Sequence, residues 1–353
     1  MKKVDERDVI FSRMNIVPGS PRYDEYYREK PERKLQDDIL RSLPRMGTKE
    51  GKIYNEINSP IIDASFSFLN DIKSLSEGAE NPVKVEIDPE VITKRIKGLA
   101  TYYNAKLVGV TKMKEDHYYS HKGRRSEDYG EKIDVMHKYG IVFAVEMEQE
   151  MIFKAPFLPE AVAVTKGYVN AAIIGMVLSY YIRELGYSAR NHMDGNYLII
   201  APLVAEDAGL GEIGRNGLLT TKKYGSRVRL GIVTTDLPLV VDEKISFGLK
   251  ELCALCENCA KSCPAKAIAS GEPSGEDGEK RWKVNPENCY RKWRELGTDC
   301  GICLASCPLS TSVSEVLIDK MKESEEARKE ILEQFHADYH NRPYNKEPIP
   351  WLD

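Results

Sequence analysis

All eight cysteines of this chain lie between residues 253 and 307, and their spacing constrains the fold more than any other feature. The first four follow the pattern C-x2-C-x2-C-x3-C-P, which begins at Cys253 and ends at Cys263. Bacterial ferredoxins hold 4Fe-4S clusters with this spacing: three thiolates bind one cluster and the fourth binds the other. A second run, which ends at Cys307-Pro308, repeats the arrangement. The sequence therefore predicts two 4Fe-4S clusters.

Two cubane clusters need eight thiolates, and the chain has eight. With cross-ligation, each cluster takes one ligand from the other cysteine run. The first cysteine set, predicted to bind one cluster, is Cys253, Cys256, Cys259 and Cys307. The second cysteine set, predicted to bind the other cluster, is Cys263, Cys289, Cys300 and Cys303.

Disulfide bonds and zinc are the alternative uses of so many cysteines. Disulfide frameworks are typical of small secreted domains, whereas this chain has 353 residues and its N-terminus lacks the apolar region of a secretory signal. Zinc ribbons use paired C-x2-C motifs, without the triplet seen here. Both alternatives are therefore disfavoured.

Charge and hydropathy exclude some partners. The formal net charge is −4, which offers no basic surface for nucleic acid. The sequence shows no run of about 20 apolar residues, so we expect no membrane span. It also shows neither a signal sequence nor a twin-arginine pair near Met1. We expect a cytoplasmic protein, and thiolates on iron suit a reducing compartment.

Composition and periodicity divide the chain into four predicted regions. Residues 1–80 are polar and broken by prolines, which predicts an arm of short helices, one of them within 60–75. Residues 81–245 form the main body, 246–312 a ferredoxin-like domain, and 313–353 a C-terminal helix and tail. No predicted region repeats another beyond the two cysteine runs.

The main body alternates helices and strands. Asp88-Pro89 predicts a helix start, and a long helix is expected over 159–185, ending before Gly186. Apolar runs predict strands at 107–111, 141–147 and 227–239. This alternation predicts an α/β (α+β) fold class.

A glycine-rich stretch follows within this body. Gly209-x-Gly211-x-x-Gly214 matches the letters of a dinucleotide-binding loop, but its flanks are not a strand and a helix with an acidic residue further on. We expect these glycines to let the backbone approach a bulky cofactor closely. A flavin, a corrinoid or a bound substrate are the candidates, and composition does not choose among them.

Longer motifs resemble one known family, the corrinoid-dependent reductive dehalogenases, to which epoxyqueuosine reductase is related. The resemblance spans most of the chain. The stretches that carry it are PGSPRYDEYYREKPERKLQDDILRSLPRM near the N-terminus, AVEM, YYIRELGYSAR, EDAGLGEIGRNGLLTTKKYGSRVRLGIVTTDLPL and the double cysteine motif with CYRKW between its halves.

This resemblance implies a nitroreductase-like domain that holds base-off cobalamin, with one cluster close to the corrin. In the family, a tyrosine near the cobalt donates a proton during reduction over Co(I), assisted by a basic residue and an asparagine. The matching positions are Tyr168, Arg229 and Asn196. Positions expected to contact the cofactor are Tyr168, Gly195, Asn196, Gly209, Gly211 and Arg215, the last being the spare basic candidate.

The chain also departs from the family. The family's pocket is often rich in tryptophan, whereas the only tryptophans here are Trp282, Trp293 and Trp351. We therefore expect a small organic substrate that is an organohalide or is reduced at another bond. An external donor of the ferredoxin or flavodoxin type would supply electrons, and a homodimer is a further expectation. An epoxyqueuosine-type reductase, a non-dehalogenating corrinoid reductase or an electron carrier are the alternatives.

Overall fold

The computed structural model describes residues 3–275 and 280–352. Its centre is a four-stranded sheet made of β1 (Leu107–Lys112), β2 (Tyr139–Glu146), β3 (Ala189–His192) and β6 (Val228–Thr235), in the order β1-β2-β6-β3. A small separate hairpin pairs β4 (Glu212–Ile213) with β5 (Leu219–Thr220). The predicted strands are confirmed, although β6 ends four residues before the predicted limit at 239.

Every pairing in the central sheet is antiparallel. The alternation of strands and helices suggested an α/β fold. Along the chain, helices connect β2 to β3, but in the sheet β6 lies between these two strands. The crossover therefore produces no parallel pair in this sheet, and its architecture is α+β. β2 is buried along almost its whole length because it lies between β1 and β6.

Helices cover the sheet. They are α5 (Pro89–Tyr102), α6 (Gln149–Ile152), α7 (Leu158–Glu184) and α8 (Ala201–Asp207). Asp88 caps α5 as predicted, since its carboxylate accepts hydrogen bonds from the backbone of Glu90 and Val91. The predicted limits of α7 are confirmed to within one residue.

By length and composition alone, α7 could cross a membrane, although the sequence was expected to contain no such segment. In the folded protein, however, 61% of its most apolar stretch is buried. It packs on the sheet through Ala171, Ile174 and Leu178, which share one core with strand residues Phe143 and Val233. Its apolar character is therefore explained by its place in the protein core.

The N-terminal arm consists of α1 (Ile10–Met14), α2 (Pro21–Glu29), α3 (Pro31–Ser42) and α4 (Ser59–Ile72). The last of these is the helix predicted within 60–75. The helices α9 (Leu249–Cys256), α10 (Asn258–Ser262), α11 (Pro286–Leu296) and α12 (Ile302–Ala305) carry the cysteines or flank them. The tail forms two helices, α13 (Glu315–Lys320) and α14 (Glu325–Tyr339), where the sequence predicted one. The second helix begins after Ser324, whose side chain caps its N-terminus.

The arm holds the helix that carries Cys289. Arg294 of α11 donates to the backbone carbonyls of Leu43 and, at 2.5 Å, Pro44. Arg13 of α1 is almost completely buried and donates to Glu287 at 2.7 Å. The arm and the cysteine region therefore form one packed body, and the proposed domain limits at 80, 245 and 312 remain predictions.

Candidate active site and cluster sites

The first cysteine set comes together in space. Cys253, Cys256, Cys259 and Cys307 line one cavity, together with residues of the 214–216 loop. Burial raises the pKa of the Cys253 and Cys256 thiols to about 12. Thiols this hard to deprotonate become ligands when a metal supplies positive charge, so the chemistry of the set fits an iron–sulfur cluster.

The second cysteine set is also brought together. Burial raises the pKa of Cys289 to about 11 and that of Cys300 to about 12, with added repulsion in both cases from Cys263. The pKa of Cys303 is raised by burial and by the other three thiols. Within the described part of the chain, no group of His, Cys, Asp and Glu is placed to hold a single metal ion.

Arg215 lies at the first cysteine set. Its side chain is buried, donates to the carbonyl oxygens of Cys253, Ala269 and Gly271, and stacks on Trp282 with its guanidinium carbon 4.6 Å from the ring centroid. All of these contacts belong to the cysteine region. The structure therefore does not bring this spare basic candidate to Tyr168.

Tyr168 and Arg229 face each other between α7 and β6. The guanidinium carbon of Arg229 lies 4.1 Å from the centroid of the Tyr168 ring. The approach is close because position 167 is glycine: a Cβ there would lie 3.0 Å from the Cβ of Arg229. Phe66, from arm helix α4, packs against the same tyrosine, with ring centroids 5.9 Å apart.

This pair combines a neutral phenol with a permanent positive charge. Burial raises the pKa of Tyr168, and the positive charge of Arg229 partly offsets that rise. Burial disfavours the charged form of Arg229, but Tyr168, Asp299 and Glu160 outweigh this and raise its pKa. The buried Nε of Arg229 has no hydrogen-bond partner among the described residues. The pair can therefore hold a proton on Tyr168 and stabilise the phenolate that remains after its loss.

Asn196 is engaged elsewhere. Its Oδ1 accepts from Arg190 at 2.9 Å and from Arg125 at 3.3 Å, and its Nδ2 donates to the carbonyl of Lys73 at 2.9 Å. The amide therefore anchors the loop that follows β3. Gly195 precedes it with φ +70° and faces open space, so this turn leaves room beside the loop.

The two glycines predicted to approach a cofactor approach the chain itself. A Cβ on Gly209 would lie 2.4 Å from the carbonyl oxygen of Glu243, and one on Gly211 would lie 2.2 Å from that of Thr220. Gly209 also has φ +74°. Backbone packing and conformation therefore account for both glycines without a cofactor.

Sequence reasoning missed several members of this site. The charges of Tyr197 and Asp194 act on Tyr168, and Arg124 interacts electrostatically with both tyrosines. All four side chains are partly buried. The sequence pointed to these residues only through their position in the chain: Tyr197 directly follows Asn196, and Arg124 lies in the polar loop after His121.

Glu160 of α7 joins the second cysteine set to Arg229. It is 1% exposed, its Oε2 lacks a hydrogen-bond partner among the described residues, and a Cβ on Gly301 would lie 2.2 Å from its Oε1. Its charge acts on Cys300 and Cys303, and that of Arg229 acts on it. Glu160 thus links the second cysteine set electrostatically to Arg229, and the charge of Asp299, which precedes Cys300, also acts on Tyr168.

Comparison with known proteins gives one family-model match and several similar proteins. Residues 252–331 match the family model of the 4Fe-4S dicluster domain. A tetrachloroethene reductive dehalogenase of Desulfitobacterium hafniense is 38% identical over 178 residues, which cover 47% of this chain and 32% of the relative. An epoxyqueuosine reductase of Lactococcus garvieae is 32% identical over 116 residues, covering 31% of this chain and 32% of that one.

A solved structure has the same fold. The catabolic reductive dehalogenase NpRdhA in complex with 3-bromo-4-hydroxybenzoic acid superposes with a TM-score of 0.71 at 25% identity. The match covers 84% of this chain and 45% of that protein. This chain therefore spans about half the length of the solved relative.

Proposed function

We propose that this chain, which is similar to reductive dehalogenases, is a corrinoid- and iron–sulfur-dependent oxidoreductase that reduces a small organic substrate. The observation that carries the proposal is the stacking of Arg229 on Tyr168 next to the second cysteine set. This arrangement places a proton donor, Tyr168, beside a stabilising charge, Arg229, and close to cysteines that would bind a cluster and conduct electrons.

The chemistry of the site residues fits a corrinoid. Arg229 has a buried nitrogen without a partner among the described residues, and Gly195 opens onto free space. His117, His137 and His192 use both ring nitrogens in hydrogen bonds within the protein, so none of these three has a nitrogen left for cobalt. When bound, the corrinoid would supply strongly reducing chemistry for cleavage of a carbon–halogen or related bond.

The protein's own residues would deliver the proton and the electrons. Reduction of a carbon–halogen bond consumes two electrons and one proton, breaks the C–X bond, forms a C–H bond and releases halide. Tyr168 would donate the proton from Oη, and Arg229 would stabilise the phenolate until it is reprotonated. The first cysteine set would receive electrons from an external donor and pass them to the second, which neighbours Glu160 and Arg229.

The test combines composition and activity. Protein produced anaerobically with cobalamin is expected to contain about one cobalt and about eight irons per chain. With an artificial reductant it should release halide from an organohalide panel, and Tyr168→Phe should retain both metals but lose turnover. Full iron without cobalt uptake would reject the corrinoid, and full loading without turnover on any substrate would favour an electron carrier.

A further inference from the structure

One line of side chains along α7 faces away from the protein core. Lys166, Ile173 and Tyr180 follow one another at intervals of seven residues, and all three are exposed, Ile173 to 40% and Tyr180 to 44%. Because seven residues complete almost two turns of a helix, these side chains lie one behind another. We call this side of the helix the outer stripe, and it comprises Lys166, Asn170, Ile173, Val177, Tyr180 and Glu184.

The neighbours of α7 pack on its other sides. The sheet covers Ile174 and Leu178, and Leu69 of α4 packs in one cluster with Ala172. A helix that is apolar all round is normally covered all round. In the part of the chain that the structure describes, however, the apolar side chains of the outer stripe stay accessible. The segment beside α7 also exposes apolar side chains, Phe68 of α4 and Leu75 shortly after it.

The outer stripe is complementary to its own reverse. Ile173 and Val177 form an apolar centre, whereas Lys166 and Glu184 place opposite charges at the two ends. If two copies of α7 pack antiparallel about a two-fold axis near Gly175, positions equally far from that glycine face each other. Ile173 then meets Val177 of the second copy, and Lys166 meets its Glu184. The contact is about 27 Å long at 1.5 Å per residue.

The polar side chains of the outer stripe favour a protein partner over a lipid surface. Asn170 would face Tyr180 of the second copy, and an amide can hydrogen-bond to a phenol. Glu184 forms no ion pair with any residue that the structure describes. Lys166 pairs with Glu148, which holds it at its end of the stripe, and its ammonium has further donors. A membrane interior offers neither the carboxylate nor the amide a partner.

We propose that the outer stripe of α7 is a docking surface for a second copy of this chain, which binds through its own α7 in the antiparallel direction. Seven-residue spacing of apolar side chains is the pattern with which long helices pack side by side. The pairing removes the apolar side chains of both copies from water at once, which drives the association. This proposal is independent of the proposed function, although α7 also carries Tyr168.

The mass of the full chain in solution tests the proposal. In sedimentation equilibrium of protein produced anaerobically with cobalamin, we expect twice the chain mass at micromolar concentration. Ile173→Glu would place a carboxylate at the centre of the contact and should raise the Kd of the dimer at least about 100-fold. Leu35→Glu, the same kind of change at an exposed position of α3, should leave the mass unchanged.

A charge reversal tests the antiparallel direction. Glu184→Lys would set two lysines against each other, and because a two-fold axis repeats the contact, the dimer should weaken about tenfold. Adding Lys166→Glu restores opposite charges and should recover most of the affinity. Thermal unfolding of each variant shows whether the single chain is intact, which matters for Lys166→Glu because Glu148 lies beside it.

The other results would overturn the proposal. They include a wild-type protein that stays at the single-chain mass up to about 100 μM, and a dimer that neither Ile173→Glu nor Glu184→Lys weakens. Sedimentation of a wild-type monomer with phosphatidylcholine vesicles, lost in Ile173→Glu, would assign the outer stripe to a membrane instead. If Ile173→Glu does not fold, Glu184→Lys and its combination with Lys166→Glu decide.

Discussion

The guanidinium carbon of Arg229 lies over the ring of Tyr168, 4.1 Å from its centroid, between α7 and β6. A second pair on the same helix has similar geometry: Arg183 lies 4.3 Å from the ring of Tyr180, which is 44% exposed. The two pairs differ in burial and in what surrounds them. The outer pair therefore provides an internal control for the inner one.

Removing the phenol of Tyr168 should abolish turnover. We expect Tyr168→Phe to lower kcat roughly 10²- to 10⁴-fold, the usual contribution of a general acid, with unchanged cobalt and iron content. Tyr180→Phe should retain wild-type turnover. Halide release under an artificial reductant provides the measurement, and normal turnover by Tyr168→Phe would show that another group supplies the proton.

Removing the charge of Arg229 should shift the pH dependence of the reaction rate to higher pH. Because Arg229 favours the phenolate, Arg229→Gln should raise the pKa of Tyr168, so the alkaline limb of the rate profile shifts to higher pH. The rate at neutral pH should fall about tenfold, since the phenolate is less stabilised. Arg229→Lys keeps the charge and should retain more of the wild-type profile. If the alkaline limb does not move in Arg229→Gln, that limb does not report the ionisation of Tyr168.

Single cysteine substitutions should remove one cluster each. Cys256→Ser belongs to the first cysteine set and Cys289→Ser to the second, so each variant should retain about four of about eight irons per chain. Electron paramagnetic resonance should show a different remaining cluster in each. Ser306→Ala, which loses a hydrogen bond to the carbonyl of Ile302, is the control and should keep both. Identical remaining signals in the two cysteine variants would contradict the division into sets.

Glu206 should make stability depend on pH. Burial raises the pKa of this carboxylate, but Lys244, Arg281 and the backbone of Ile213 outweigh burial and lower it from 4.5. Its contribution is therefore fully present above about pH 4.5 and is lost as pH falls through the folded-state pKa. Glu206→Gln should cost about 2 kcal/mol at pH 7.

Denaturant unfolding at pH 7 and at lower pH measures this effect. The difference between wild type and Glu206→Gln should shrink as the solution is acidified. Glu325→Gln, which changes an exposed carboxylate on α14, should have little effect at pH 7. A difference between wild type and Glu206→Gln that stays constant down to acid pH would show that shape and not charge explains it.

Local features were predictable and long-range ones were not. The cysteine spacing and the capping of α5 by Asp88 depend on neighbouring residues, so the sequence predicts them directly. The entry of β6 between β2 and β3 depends on pairings such as Ala144 with Leu230, which lie far apart in the chain. No periodicity in one segment encodes such a pairing.

The same distinction between local and long-range features applies to the candidate site. Tyr168 and Arg229 were found by resemblance, and the structure brings them together. Arg124 was missed because a single arginine in a polar loop gives no pattern, and its position depends on Phe11 from the other end of the chain. Gly209 and Gly211 were explained by a cofactor, whereas the contacts that require them are with backbone that folds back from Glu243 and Thr220.

The binding of Arg294 to the arm has a consequence for synthesis of the protein. The carbonyl oxygens that receive its hydrogen bonds belong to residues about 250 positions earlier in the chain. During translation the arm leaves the ribosome long before α11 exists, so it must wait unpaired while more than half of the chain is made. The second cluster, whose predicted ligand Cys289 lies on α11, can therefore be enclosed only late in synthesis, and iron delivery must follow translation of most of the chain.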